Sequence, residues 1–180
     1  LPDNWSPQRM LVPTNGSIAA RRAAEVGFAL AAGTDAVGGN GQAAEVRVLK
    51  VVEDETYQVI LATHDSNRQV LIAYQIVNEL AVLGESFGVR VIPDVVSSPE
   101  YVHAILEHAY TCETDLIILG ISVRTGSHRL YLGPRVERIL QEAPCPVVII
   151  NTVTGTAPAN SDHSVQARDA EAAERATPPR

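Results

Sequence analysis

Short apolar runs punctuate this chain, and between successive runs lie longer stretches in which apolar residues return every three or four positions. RMLVP (9–13) is a short apolar run consistent with a buried parallel strand, EVRVLKVV (45–52) alternates and then becomes continuously apolar, and VRVIPDVV (89–96), DLIIL (115–119) and PVVIIN (146–151) read as three further strands. The first helix starts after Ser17 as N-cap and runs to about Ala32, with Ile18, Ala19, Ala23, Val26, Phe28 and Leu30 as its apolar positions and Gly33 as its stop. The second is capped by Asp65 or Ser66 and reaches about Phe87, with Val70, Ile72, Ala73, Ile76, Val77, Leu80 and Leu83 on its buried side and Gly88 beyond it. Ser98-Pro99-Glu100 opens the third, serine as N-cap and proline at N1, and it ends near Thr111. Gly133-Pro134 opens the fourth, which ends near Ala143. Strict alternation of strand and helix predicts the α/β class, with an open parallel sheet and helices on both faces. In such a sheet ligands sit outside the carboxyl ends of the strands, where the strand order reverses.

The rest of the chain is organised around that core. Residues 1–8 read as a linker whose Trp5 packs on the domain surface, 9–151 as one domain, and 152–180 as a polar, flexible tail. TDAVGGNGQAA (34–44) is a glycine-rich loop without the strand-to-helix setting of a phosphate loop. YQVILA, within 56–63, stays open between strand and connector. Pro93 cannot donate to a ladder, which points to an edge for the third strand. A formal charge of -7, with Lys50 as the single lysine, argues against nucleic acid and against anionic membrane surfaces. Cys112 and Cys145 lack CxxC spacing and read as core thiols of a protein in the reducing cytoplasm. No apolar run approaches the roughly 18 residues that span a bilayer. The chain begins at Leu1 without methionine, which is consistent with processing or excision from a longer protein.

The chemistry-bearing stretch is 115–150, DLIILGISVRTGSHRLYLGPRVERILQEAPCPVVII. A strand runs into a loop with Gly120, Gly126 and Gly133 and the hydroxyls of Ser122, Thr125 and Ser127, and the following helix directs its N-terminus back at that loop. This pattern invites a phosphate. Each glycine has a structural reading beside the functional one: Gly120 can simply end a strand and Gly133 can begin a helix. Arg135, in the first turn of the helix, can reach an anion, whereas Arg21, Arg22, Glu137 and Arg138 read as solvated helix faces. No G-x-S-x-G elbow and no HExxH is present, and Ser127-His128 and His64-Asp65 are sequence neighbours without an implied catalytic geometry. His108 and Cys112, four apart, supply two ligands, which is too few for a metal site, and His103 lies on another face. The chain is read as a non-enzyme with no metal.

RMLVPTNGS with its helix, EVRVLKVVE, and the whole of DLIILG to PVVII resemble the universal stress protein family over roughly residues 9–151. The resemblance implies a five-stranded sheet of order 3-2-1-4-5, of the adenine-nucleotide alpha hydrolase-like type, and a homodimer that pairs the last strands through Val147, Val148, Ile149 and Ile150. Family members that bind ATP are similar to one another in a G-x-x-G, nine residues, G-[ST] motif. Carried over, its positions fall on Gly120, Val123, Gly133 and Pro134, so two of the four are changed. The family's adenine and ribose contacts fall on Pro13, Thr14, Asn15 and Val51, with asparagine where ATP binders commonly have aspartate. Valine adds a branched side chain where backbone approaches phosphate, and proline removes a hydroxyl and an N–H. Arg124, Thr125, Gly126, Ser127 and Arg129 still offer donors to an anion. The implied ligand is therefore an adenine nucleotide: AMP, ATP, a cyclic mononucleotide or a cyclic dinucleotide.

A second resemblance lies in LPDNWSPQRMLVPTNGSIAARRAAE, which is similar to universal stress domains fused behind membrane cation/proton antiporters. It implies a cytosolic regulatory domain attached to a transporter's membrane domain. The leading expectation is a nucleotide-sensing regulatory domain. A ligand-free dimerisation or partner-docking module is the alternative, and an ATP-hydrolysing enzyme ranks last.

Overall fold

The computed structural model describes residues 5–36, 44–53, 63–123 and 132–153. In chain order they form β1 (Arg9–Pro13), α1 (Ile18–Ala36), β2 (Glu45–Glu53), α2 (Thr63–Glu85), β3 (Arg90–Ser98), α3 (Tyr101–Thr111), β4 (Leu116–Val123), α4 (Pro134–Glu142) and β5 (Val147–Val153). The five strands are parallel and lie in the order β3-β2-β1-β4-β5, so the strand order reverses between β1 and β4.

Alternate side chains along each strand supply two cores, one on each face. Met10, Val12, Val46, Val48, Leu116 and Ile118 meet Ala23, Ala24 and Phe28 of α1 and Val77 and Leu80 of α2. Leu11, Leu49, Val51, Ile117 and Leu119 meet Val102, Ile105 and Ala109 of α3 and Ile139 of α4. Each fully buried aliphatic side chain of this kind stabilises the fold by about 1.5–3 kcal/mol, which is why the strands are nearly unbroken apolar runs. Trp5 packs against the first core, as its surface position in the sequence predicts.

The start of β1 is tied to the start of β4. The Asp115 carboxylate accepts the N–H groups of Gln8 at 2.8 Å and Arg9 at 3.1 Å, and the Asp115 N–H donates to the Arg9 carbonyl at 2.9 Å. Pro93 lies opposite Val48 on β3, an outer strand of the sheet, where a missing donor costs little.

Several local expectations are corrected. Gly33 does not stop α1; the helix runs through it to Ala36, taking in the first three residues assigned to the glycine-rich loop, and the Thr34 hydroxyl donates back to the Leu30 carbonyl at 2.9 Å. Ser17 is the cap expected, its hydroxyl accepting the Ala20 N–H at 3.2 Å. Helix α2 begins at Thr63, so Asp65 and Ser66 fall inside its first turn, and it ends at Glu85, before a three-residue turn to Gly88 at φ +72°. In α3 the N-cap is Glu100; Pro99 precedes the helix, and the Ser98 hydroxyl accepts the Glu100 N–H at 3.2 Å. Ile18, Leu30 and Ile72 are exposed at 72%, 41% and 47% although they were read as core-facing, because the helices bury a narrower stripe than their apolar content allows. Cys112 and Cys145 are half-buried free thiols rather than core residues. The 37–43 and 56–62 readings fall outside the described residues.

Candidate functional site

The reversal of strand order brings the carboxyl ends of β1 and β4 side by side, and the residues predicted from sequence divide around that point. Pro13 and Thr14 are buried, Thr14 to 1% exposure. The Thr14 N–H extends the ladder by donating to the Leu49 carbonyl at 2.8 Å, and its Oγ1 accepts the Gly16 N–H at 3.1 Å. Asn15 Oδ1 accepts the Ser17 N–H at 3.0 Å, closing a turn of the Asx type and leaving the side chain exposed to solvent. Gly16, at φ +82°, turns the chain from strand to helix, and a Cβ there would lie 3.0 Å from Ile76. Three successive side-chain acceptors, on Thr14, Asn15 and Ser17, thus satisfy the donors of one tight connection.

Gly120 stands on β4 opposite Ile150 of β5, and a Cβ built on it would lie 2.1 Å from the carbonyl oxygen of Ala19 and 2.6 Å from the backbone nitrogen of Ala20. Its lack of a side chain therefore lets the first turns of α1 lie directly on β4. Sequence alone left its strand-end and ligand-contact readings open, and this packing role is a third, independent reason for glycine. Ser122 is exposed near the end of β4, opposite Thr152. Val51 is 2% exposed and belongs to the core shared with Leu119 and Ile139, so it can line the floor of a crevice but does not project into one.

A second group of candidates stands at the start of α4. Gly133 is its N-cap at φ +82°, ψ 157°, a backbone conformation essentially confined to glycine, and Pro134 occupies the first turn. Among the described residues nothing lies within 4 Å of where a Gly133 Cβ would stand, so the backbone conformation is the reason for glycine that they show. Arg135 NH2 pairs with Glu53 Oε1 at 2.7 Å, and its guanidinium lies 5.3 Å from the ring centroid of Tyr101. Burial raises the Tyr101 phenol above its ordinary pKa, with Arg135 opposing that shift, so the ring is neutral at physiological pH. Arg138, one turn later, pairs with Glu100 at 3.4 Å and Glu142 at 3.0 Å.

A cavity of about 290 Å³ lies between these groups, lined by Glu53, Tyr101, Val102, Pro134, Arg135 and Arg138 with Pro99 and Glu100 at its margin. Its walls are the end of β2 and the first turns of α3 and α4. Among the described sequence candidates for ligand contact, Arg135 lines it. Glu53 and Tyr101 were missed, because their partnership with Arg135 spans most of the domain. Their positions at the carboxyl-end side of the sheet were the available signal. Arg124, Thr125, Gly126 and Ser127, together with His128 and Arg129, lie outside the described residues. His108, set aside as a ligand in the sequence, instead meets Asp94 at 3.1 Å, and Asp94 also receives Arg47 at 3.0 Å.

Comparison with known proteins agrees with this architecture. The model of the universal stress protein family matches residues 7–151. A universal stress protein of Methanocaldococcus jannaschii is 31% identical over 68 residues, a match that spans 38% of this chain and 39% of that relative. Among solved structures, the universal stress protein UspA from Lactobacillus plantarum superposes with a TM-score of 0.67 at 22% identity, over 82% of this chain and 99% of its own. A universal stress protein family member from Arabidopsis thaliana, solved with AMP bound, gives 0.57 at 16% identity over 86% of this chain and 97% of its own. With the family model reaching from β1 into β5 and taking in every helix described above, the chain belongs to the universal stress protein family.

Proposed function

We propose that this domain is a regulatory adenine-nucleotide sensor rather than a catalyst. The observation that carries the reading is the junction at the strand-order reversal. A hydrogen-bonded Thr14-Asn15-Gly16 turn stands at the end of β1, and the glycine-led first turn of α4 holds Arg135 against the end of β2. The turn offers backbone and amide groups to a base and ribose, and Arg135 offers a guanidinium to a phosphate. The AMP held by the Arabidopsis relative supports an adenine nucleotide as the ligand class. Binding would act by favouring one of two arrangements of the domain or its partner.

The test is mass spectrometry of any nucleotide released from the purified protein, followed by calorimetry with AMP, ATP, cyclic AMP and a cyclic dinucleotide. Saturable heat with at least one of them, weakened by Asn15→Ala, is expected; silence from all of them overturns the reading.

A second reading, a docking module with a degenerate site, is favoured by a specific observation. Gly120 has a packing reason to be glycine, and Arg135 already has a carboxylate partner. Silence from every nucleotide together with a stable oligomer would establish it. We propose that copies pair through β5, an outer strand of the sheet whose Val148 is 36% exposed, and Val148→Arg is expected to lower the mass measured by light scattering. Attachment to an antiporter membrane domain rests on the N-terminal resemblance alone, and reading the full-length gene for upstream membrane spans tests it.

A further inference from the structure

Both described arginines that line the cavity between β2, α3 and α4 already carry a carboxylate. Arg135 is held by Glu53 at 2.7 Å, and Arg138 by Glu100 at 3.4 Å and Glu142 at 3.0 Å. Arg135 is further placed by Tyr101, whose ring lies beneath its guanidinium. The arginine is thus oriented over an aromatic floor and neutralised by a group of the protein itself. Glu53 is the last residue of β2, and its side chain is 42% exposed while that of Arg135 is 62% exposed. A pair so open to water is held weakly and can exchange partners.

We propose that Glu53 is an internal competitor for the phosphate of the bound nucleotide: ligand binding exchanges the Glu53 carboxylate for a phosphate on Arg135, and Glu53 thereby sets how readily the site fills. The inference rests on the nucleotide-sensing reading and adds to it a residue that opposes binding. A phosphomonoester carries close to two negative charges at neutral pH and three acceptor oxygens, so it replaces a single carboxylate on a guanidinium with gain. A nucleoside without phosphate has nothing to offer Arg135 and leaves the Glu53 pair in place. Glu53 therefore lowers affinity for phosphorylated ligands and is indifferent to the nucleoside. A Glu53 that accepted ribose hydroxyls would do the opposite, strengthening both ligands. Both partners lie at the surface and outside the two cores, so exchanging them leaves the fold intact.

The experiment is calorimetry of wild type, E53Q, R135Q and the double variant with AMP and with adenosine, the melting temperature of each being recorded. E53Q is expected to tighten AMP by about threefold to tenfold, the range an exposed ion pair and its residual repulsion supply, and to leave adenosine within about twofold. In the R135Q background the gain from E53Q is expected to vanish. AMP binding that is seen in E53Q and is too weak to detect in wild type also supports the competition. AMP binding that E53Q leaves unchanged or weakens overturns it while the nucleotide reading stands, as does a gain that persists without Arg135. Absence of binding in all four proteins overturns both.

Discussion

Replacing Gly120 by alanine separates packing from ligand contact at the centre of the site. The added Cβ would lie 2.1 Å from the Ala19 carbonyl oxygen, 2.3 Å from its carbon and 2.6 Å from the Ala20 nitrogen. Ordinary contact begins near 3.4 Å, so the first turn of α1 must retreat from β4 by more than an ångström. All three obstacles are backbone atoms of a helix capped by Ser17 and seated on the core through Ala23, Ala24 and Phe28, so no rotamer change relieves the clash. Overpacking of a close-packed interior costs about 1–3 kcal/mol, and a backbone obstacle places this substitution at about 3 kcal/mol. For a domain of this size that lowers the melting temperature by roughly 6–12 °C. Thermal unfolding of wild type and Gly120→Ala without nucleotide, followed by circular dichroism and repeated in urea, measures it. An unchanged melting temperature would refute the packing argument and return Gly120 to the role of a ligand contact.

Gly33→Ala is the matched control: among the described residues, its own helix aside, nothing lies within 4 Å of its would-be Cβ and it sits inside α1, so the variant is expected to be more stable by about 0.5–1 kcal/mol in the same urea titration. Asp115→Ala removes the acceptor of two backbone donors, Gln8 and Arg9, and is expected to cost about 1.5–3 kcal/mol, with faster amide exchange at those two residues as its local signature. Cys145 has its thiol pushed up to about 11, chiefly by burial with Asp115 adding to it. Iodoacetamide labelling at that residue, followed by peptide mass spectrometry, is expected to rise about tenfold per pH unit toward that value; a plateau by pH 9 would refute it. Because the unfolded thiol ionises first, near pH 8.5, the stability this group contributes is fully present below that pH and declines as pH climbs through about 11.

The sheet was legible because its inner strands are largely apolar runs, and each of 9–13, 45–52, 89–96, 115–119 and 146–151 overlaps an observed strand. The strand order came from resemblance, since periodicity says which residues are buried but not which strands are neighbours. Gly33 misled because glycine is only a preference at a helix end: residues 34–36 continue the α1 backbone and outweigh its cost. At the site, Thr14 and Asn15 were named through the family resemblance, and the structure shows them closing a tight turn with local side-chain acceptors. Glu53 and Tyr101 carried only the weak signal of their place at the carboxyl-end side of the sheet, because their role depends on Arg135, which folding brings to them from 82 and 34 positions away. Gly120 shows a different limit, as a residue's reason for being small lies in the backbone that approaches it, and Ala19 is 101 positions earlier.

The tie between Asp115 and the start of β1 has a mechanical consequence. β1 lies inside the sheet between β2 and β4, and because all strands run parallel, the chain enters β1 at one end of the sheet and leaves β5 at the other. Tension applied between residues 9 and 153 therefore slides strands along their lengths instead of peeling them apart. The bonds of the β1–β4 and β4–β5 ladders then share the load, with the two Asp115 hydrogen bonds as a clamp at the point of attachment. A domain wired in this way transmits a pull from a neighbouring segment as a rigid lap joint.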